Sequence, residues 1–165
     1  MSRSPDVRLA DVDEPMLERL LAIAMDDASP DEVTPPLGDG PGWNADRTDW
    51  FRAYHRSAAA GLDGPAREKS WAILCDGSPA GSVRLKRAAA GTAETGIWVG
   101  RSFRGRGVGS AALDLVLVEA RLAGLRQVLA RTTAGNIGAR RLLAAAGARL
   151  THDDDGGAVG AAVVL

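Results

Sequence analysis

The chain of 165 residues carries 20 basic and 21 acidic side chains, a net charge of -1, with 45% hydrophobic and 25% charged residues. That length suits a single domain, 1–165, with a core that needs no disulfide or metal staple. The balanced charge excludes a global field drawing the chain to nucleic acid or to an anionic membrane. A lone cysteine, Cys75, leaves no internal disulfide, and the two histidines, His55 and His152, are too far apart in sequence to suggest a zinc site. Met1 to Leu9 holds no apolar core of signal-peptide length, and no run of about 18 apolar residues occurs. A cytoplasmic protein is expected.

In chain order, Val7 to Ala10 reads as a short strand. Asp13 is placed to cap a helix with Pro15 in its first turn, where a missing N–H costs nothing. Met16, Leu17, Leu20, Leu21 and Ala24 then recur at helical spacing. Ala28 to Trp43, rich in proline and glycine, is expected to be one long loop. A second helix starts near Asp46, with Trp50, Phe51, Tyr54 and Ala58 as its apolar stripe and His55 expected at the surface. It breaks at Gly61-Leu62-Asp63-Gly64-Pro65. Ser70 to Cys75 and Ala80 to Lys86 alternate as strands across the turn Asp76-Gly77-Ser78-Pro79. Cys75 reads as a small buried filler. Glu94 to Val99 is a further strand, followed by a glycine turn and an apolar helix, Ala111 to Ala123, which Gly124 stops. Gln127 to Thr132 is a buried strand. Asn136 caps a last helix, Ile137 to Ala146, ended by Gly147. Ala148 to His152 and Val159 to Leu165 form a terminal hairpin around the Asp153 to Asp155 run, read as a loop and not as a calcium site.

The stretch from Arg101 to Ser110 lies between strand and helix. The first N–H groups of a helix lack internal partners and carry the positive end of its dipole, so a glycine-rich turn at that point suits phosphate. A nucleoside-triphosphatase loop requires a lysine after its last glycine, and none follows Gly109. A dinucleotide fingerprint requires an acidic residue about twenty positions on, which is missing. The remaining pattern is R-x-x-G-x-G, at Arg104, Gly107 and Gly109.

With Glu94-Thr95-Gly96-Ile97-Trp98-Val99 before it and Asn136-Ile137-Gly138-Ala139-Arg140-Arg141-Leu142-Leu143-Ala144-Ala145-Ala146-Gly147 after it, this stretch resembles the GNAT superfamily of acyl-coenzyme A-dependent N-acetyltransferases. The resemblance implies an α/β fold: a mixed, mostly antiparallel sheet of about six or seven strands, about four flanking helices and a splayed central strand pair. It implies acetyl-CoA as co-substrate, without a metal. The pyrophosphate would lie on Arg104, Gly105, Arg106, Gly107, Val108, Gly109 and Ser110, and the pantetheine arm on the backbone of Ile97, Trp98 and Val99 and on Asn136. The Val99 N–H would polarise the thioester carbonyl, and Glu94 is the candidate base for the acceptor amine. Leu143 stands where many relatives carry the tyrosine that protonates the departing thiolate, which leaves the general acid unassigned.

The acceptor is a primary amine of unidentified class. The closing segments resemble branches that act on protein N-termini, ribosomal proteins included, and on aminoglycosides. Asp31, Glu32 and Asp39 are acidic groups suited to a polycation, or simply a solvated loop. The alternative to a catalyst is an acyl-CoA-binding or sensing protein of the same fold. A homodimer through the terminal hairpin's edge is compatible with either.

Overall fold

The computed structural model describes residues 4–152 and 157–165. Seven strands form one sheet in the order β1-β2-β3-β4-β5-β7-β6. They are β1 (Val7–Asp11), β2 (Glu68–Cys75), β3 (Ser78–Arg87), β4 (Thr92–Val99), β5 (Gln127–Thr133), β6 (Arg149–His152) and β7 (Ala158–Val164). All neighbours are antiparallel except β4 and β5. Five helices accompany them: α1 (Glu14–Asp27), α2 (Pro30–Val33), α3 (Ala45–Ala58), α4 (Val108–Leu122) and α5 (Ile137–Ala145). The α/β class, the mixed sheet and the element order agree with the sequence reading. The Asp153 to Asp155 run falls outside the described residues.

Strand alternation divides the core between the two faces of the sheet. Trp71, Ile73, Val83, Leu85 and Ala93 pack with Val108, Leu113, Val116 and Leu117 of α4 in the larger cluster. On the opposite face Ala72 packs with Leu20, Leu21 and Ala24 of α1 and Phe51 of α3, joined by the half-buried Trp50 and Trp98. Asp13 caps α1, its carboxylate accepting from the Met16 N–H at 2.9 Å. Replacing it with alanine is expected to cost about 1 kcal/mol, read as a melting point lower by about 2–4 °C.

Two local readings change. The loop before α3 holds a one-turn helix, α2, closed by a capping box between Ser29 and Glu32 with Pro30 at the first helical position. This is the fifth helix, and four residues are too few to show a period. His55 is not on the surface: it is 2% exposed. One helical turn after Phe51, it points into the sheet, where its Nδ1 pairs with the Ser70 hydroxyl at 2.8 Å. Such a partner makes burial of an imidazole tolerable.

Candidate active site

The one parallel pair of strands is also the sheet's opening. β4 and β5 are in register only from Thr92, Ala93 and Glu94 to Gln127, Val128 and Leu129, after which pairing stops. On its other side β4 stays paired to β3 as far as Val99, opposite Gly81. The Gly100 N–H donates to the Ala80 carbonyl at 2.8 Å. Because hydrogen-bonded pairs alternate along an antiparallel ladder, Trp98 and Gly96 bond to β3. Ile97 and Val99 therefore turn their N–H and C=O groups the other way, toward the gap, where the Val99 carbonyl accepts from Nε of Arg104 at 3.1 Å.

That gap is a cavity of about 820 Å³. Its floor is the free half of β4, and one end is the turn before α4. Gly107 there has φ of 79°, a left-handed conformation that disfavours any side chain, and nothing lies where a Cβ would project. No side chain caps α4 and no acidic residue occupies its first turn, so the amides of Val108, Gly109 and Ser110 keep the donor capacity of a free helix start.

Among residues expected to hold the cofactor, Ile97, Trp98, Val99, Arg104, Gly105, Gly107, Val108, Gly109, Ser110 and Asn136 line this cavity. Trp98 lines it without pointing its backbone there. Asn136 caps α5, its Oδ1 accepting from the Ala139 N–H at 3.0 Å. Arg106 is not in the wall: its guanidinium lies 3.8 Å from Asp76 and over the Phe103 ring. Two cations unmarked by the sequence reading, Arg131 on β5 and Arg141 on α5, join the lining. No motif announces them, because their convergence depends on how α5 packs beside β5. Leu143 is buried at 6% and faces the same cavity.

A second cavity of about 300 Å³ opens on the other face of the sheet, walled by Trp50, Phe51, Tyr54 and His55 of α3, Ser82 and Arg84 of β3, and the α2 turn. Glu32, Gly96, Ile97 and Trp98 border both cavities. Gly96 lies under the Arg84 side chain, whose Nε would be 3.0 Å from a Cβ at this position. Asp31 is tied to the buried Arg47 at 2.9 Å and Glu32 to Arg104 at 2.8 Å. Glu94 is exposed and lines neither cavity. Alternation puts it on the face that carries the smaller cavity, two residues before Gly96 and opposite Lys86.

The model of the acetyltransferase (GNAT) domain matches residues 13–149. The chain belongs to the GNAT acetyltransferase family. A comparison of the sequence with curated proteins returns no match. Solved GNAT structures share the fold. The GNAT domain of a Streptomyces lividans protein titled PAT superposes with a TM-score of 0.72 at 23% identity, over 98% of this chain and 90% of that one. RimJ of Mycobacterium smegmatis, solved with a coenzyme A disulfide, gives 0.77 at 21% identity over 96% and 81%. RimL, a ribosomal L7/L12 α-N-protein acetyltransferase solved with coenzyme A, gives 0.77 at 16% identity over 96% and 94%. The larger cavity has an uncapped helix start and arginines at one end, strand backbone that β5 leaves unpaired along its length, and a volume within the usual range of small-molecule sites. Among the described residues no His, Cys, Asp and Glu cluster is arranged to hold a metal ion, and no helix is long and apolar enough to cross a membrane.

Proposed function

We propose that the protein moves an acetyl or other short acyl group from acetyl-CoA to a primary amine, by direct attack in a ternary complex. The observation that carries this reading is the pair of cavities meeting edge to edge at Gly96, Ile97 and Trp98. Donor and acceptor can then occupy opposite faces of the sheet and touch at one strand, which turns a bimolecular encounter into a positioned one.

In this reading the amides of Gly107 to Ser110 and the Arg104 side chain hold the pyrophosphate. Arg131 and Arg141 add positive charge along the cleft. The backbone groups of Ile97, turned into the gap, carry the pantetheine arm, the Val99 carbonyl being held by Arg104, and the Asn136 amide contacts the arm with the NH₂ group its capping bond leaves over. Trp98 contributes its side chain as a wall. Arg106 acts at most through its charge. The bound thioester supplies an activated carbonyl, and the Val99 N–H is aimed to stabilise the negative charge that develops on its oxygen. Leu143 offers no proton, so the sulfur departs as a thiolate, a tolerable leaving group with an ordinary thiol pKa of about 8.5.

The acceptor enters the smaller cavity. Protein N-termini are favoured by the likeness to RimL, a ribosomal L7/L12 α-N-protein acetyltransferase; aminoglycosides and other small amines remain in the tested set. Glu94 keeps a place in that set as base, from the acceptor-side face. An acyl-CoA sensor is the second reading, favoured by the buried leucine at position 143. The assay is thiol release from acetyl-CoA with a panel of peptides, aminoglycosides and polyamines. Release with at least one amine, dependent on both substrates, is expected. Tight coenzyme A binding with no release for any amine selects the sensor. Glu94→Gln with unaltered rate and pH dependence removes Glu94 as base. The exposed edge strand β6 is the candidate dimer contact, read by sedimentation.

A further inference from the structure

β2 presents Glu68, Ser70 and Ala72 to α3 by simple alternation, and α3 answers with Tyr54 and His55. The Tyr54 hydroxyl donates to Oε2 of Glu68 at 2.6 Å, the length of a charge-assisted O–H···O⁻ bond. Glu68 is only 8% exposed and is not part of either cavity wall, whereas Tyr54 lines the acceptor cavity. The phenol is thus the cavity-lining group hydrogen-bonded to the carboxylate. Arg84 stands 3.7 Å from the same Oε2, close enough to stabilise the carboxylate charge without displacing the hydroxyl.

Resting on the transferase reading, we propose that Tyr54 and Glu68 form the proton relay of the acceptor site. The Tyr54 oxygen takes a proton from the substrate's ammonium group as the Tyr54 hydroxyl passes its own to Glu68. The ammonium loses one proton, Glu68 gains one and Tyr54 is unchanged. The freed lone pair forms the C–N bond, the C–S bond breaks to release the thiolate, and the second proton shed by nitrogen passes to solvent. Glu68 returns its proton to solvent between turnovers.

Tyr54 is the catalytic residue and Glu68 acts through it. Burial first, then the bond to Glu68 and its charge, pushes the phenol far above its ordinary value. Tyr54 is therefore a conduit and not a standing tyrosinate. The other charged or titratable groups around the relay are Arg84 and Lys86 on β3, Glu94 on β4, Asp31 and Glu32 on α2, and His55 on α3. Burial holds His55 neutral, at about 4. Glu94 is exposed and has no such link to the cavity.

The test is the pH profile of kcat for an accepted amine in Tyr54→Phe, Glu68→Gln and Glu94→Gln, with coenzyme A affinity and melting point as controls for folding. Wild type is expected to plateau near neutral pH. Tyr54→Phe and Glu68→Gln are expected to be about 10²-fold slower at pH 7 and to regain rate as pH rises toward the amine's own pKa. Wild-type profiles in both variants, or loss of the plateau in Glu94→Gln alone, overturn the relay and leave the transferase reading intact. A wild type that binds coenzyme A but releases no thiol overturns both. The protein has a single tyrosine, so an ultraviolet titration reports Tyr54 by itself. Ionisation within the ordinary phenol range would mean that the bond to Glu68 is absent, which also overturns the relay.

Discussion

Replacing Val99 with proline is expected to lower kcat by about 10²–10³-fold, with little loss of coenzyme A affinity. That is the usual cost of removing one preorganised donor from a developing oxyanion. The substitution is informative because of ladder parity. Gly100 is bonded to Ala80, so the Val99 N–H is not part of the β3–β4 ladder and its loss costs the sheet nothing. Trp98, the residue before the new proline, is already extended in β4, as a pre-proline residue must be. Phosphate-end binding rests on other amides, at Gly107 to Ser110, so the effect should fall on kcat and not on cofactor affinity. Steady-state kinetics with calorimetric titration of coenzyme A separates the two. Wild-type turnover in a folded variant would mean that the carbonyl is polarised by another group.

The larger cavity was legible in the sequence and the smaller one was not, for a physical reason. A helix start with free amides leaves local marks: glycines at 105, 107 and 109 and a strand ending just before. Asn136 was legible for the same reason, since a helix cap is a local event. The smaller cavity is walled by α2, α3, β3 and β4, and its contacts are set by packing. The Tyr54–Glu68 bond joins residues 14 apart across a break at Gly61 to Pro65, and no pattern links the two. Tyr54 was read as part of the Trp50 and Phe51 stripe, and that stripe does face inward. What the stripe could not reveal is that the sheet below it offers a carboxylate and a hydroxyl instead of more apolar surface. His55 was misjudged for this reason. The polar type suggested solvent, but Ser70 on the facing strand supplied a partner.

The splay of β4 from β5 links both halves. Had the strands stayed paired beyond Glu94 and Leu129, Ile97 and Val99 would have spent their N–H groups on β5. No cleft would then connect the α4 turn with the acceptor cavity. The glycine turn stands at one end of that cleft, and on the other face of β4 Arg84 covers Gly96 and the α2 turn is held by Arg47 and Arg104.

Acidification from pH 7 to pH 5 is expected to lower folding stability by about 2 kcal/mol through His55 alone. Burial depresses the folded-state value from 6.5 to about 4, while in the unfolded chain the imidazole is solvated and titrates normally. Above pH 6.5 the group is neutral in both states and adds nothing to the pH dependence. Between 6.5 and 4 the unfolded chain binds a proton that the folded protein refuses, so stability falls as pH falls, and below 4 the loss levels off. Glu14 and Glu18, held low chiefly by their hydrogen bonds to Arg56 and Arg52, start to weaken only below the ordinary carboxylate value of 4.5, outside this window. The other histidine, His152, is exposed. Thermal melts at the two pH values should differ by about 4–8 °C. In His55→Gln, which keeps a hydrogen-bonding side chain but cannot titrate, the difference should largely vanish even if the variant melts lower throughout. A wild-type melting point unchanged between pH 7 and pH 5 would place the imidazole in contact with water and overturn the buried His55–Ser70 pair.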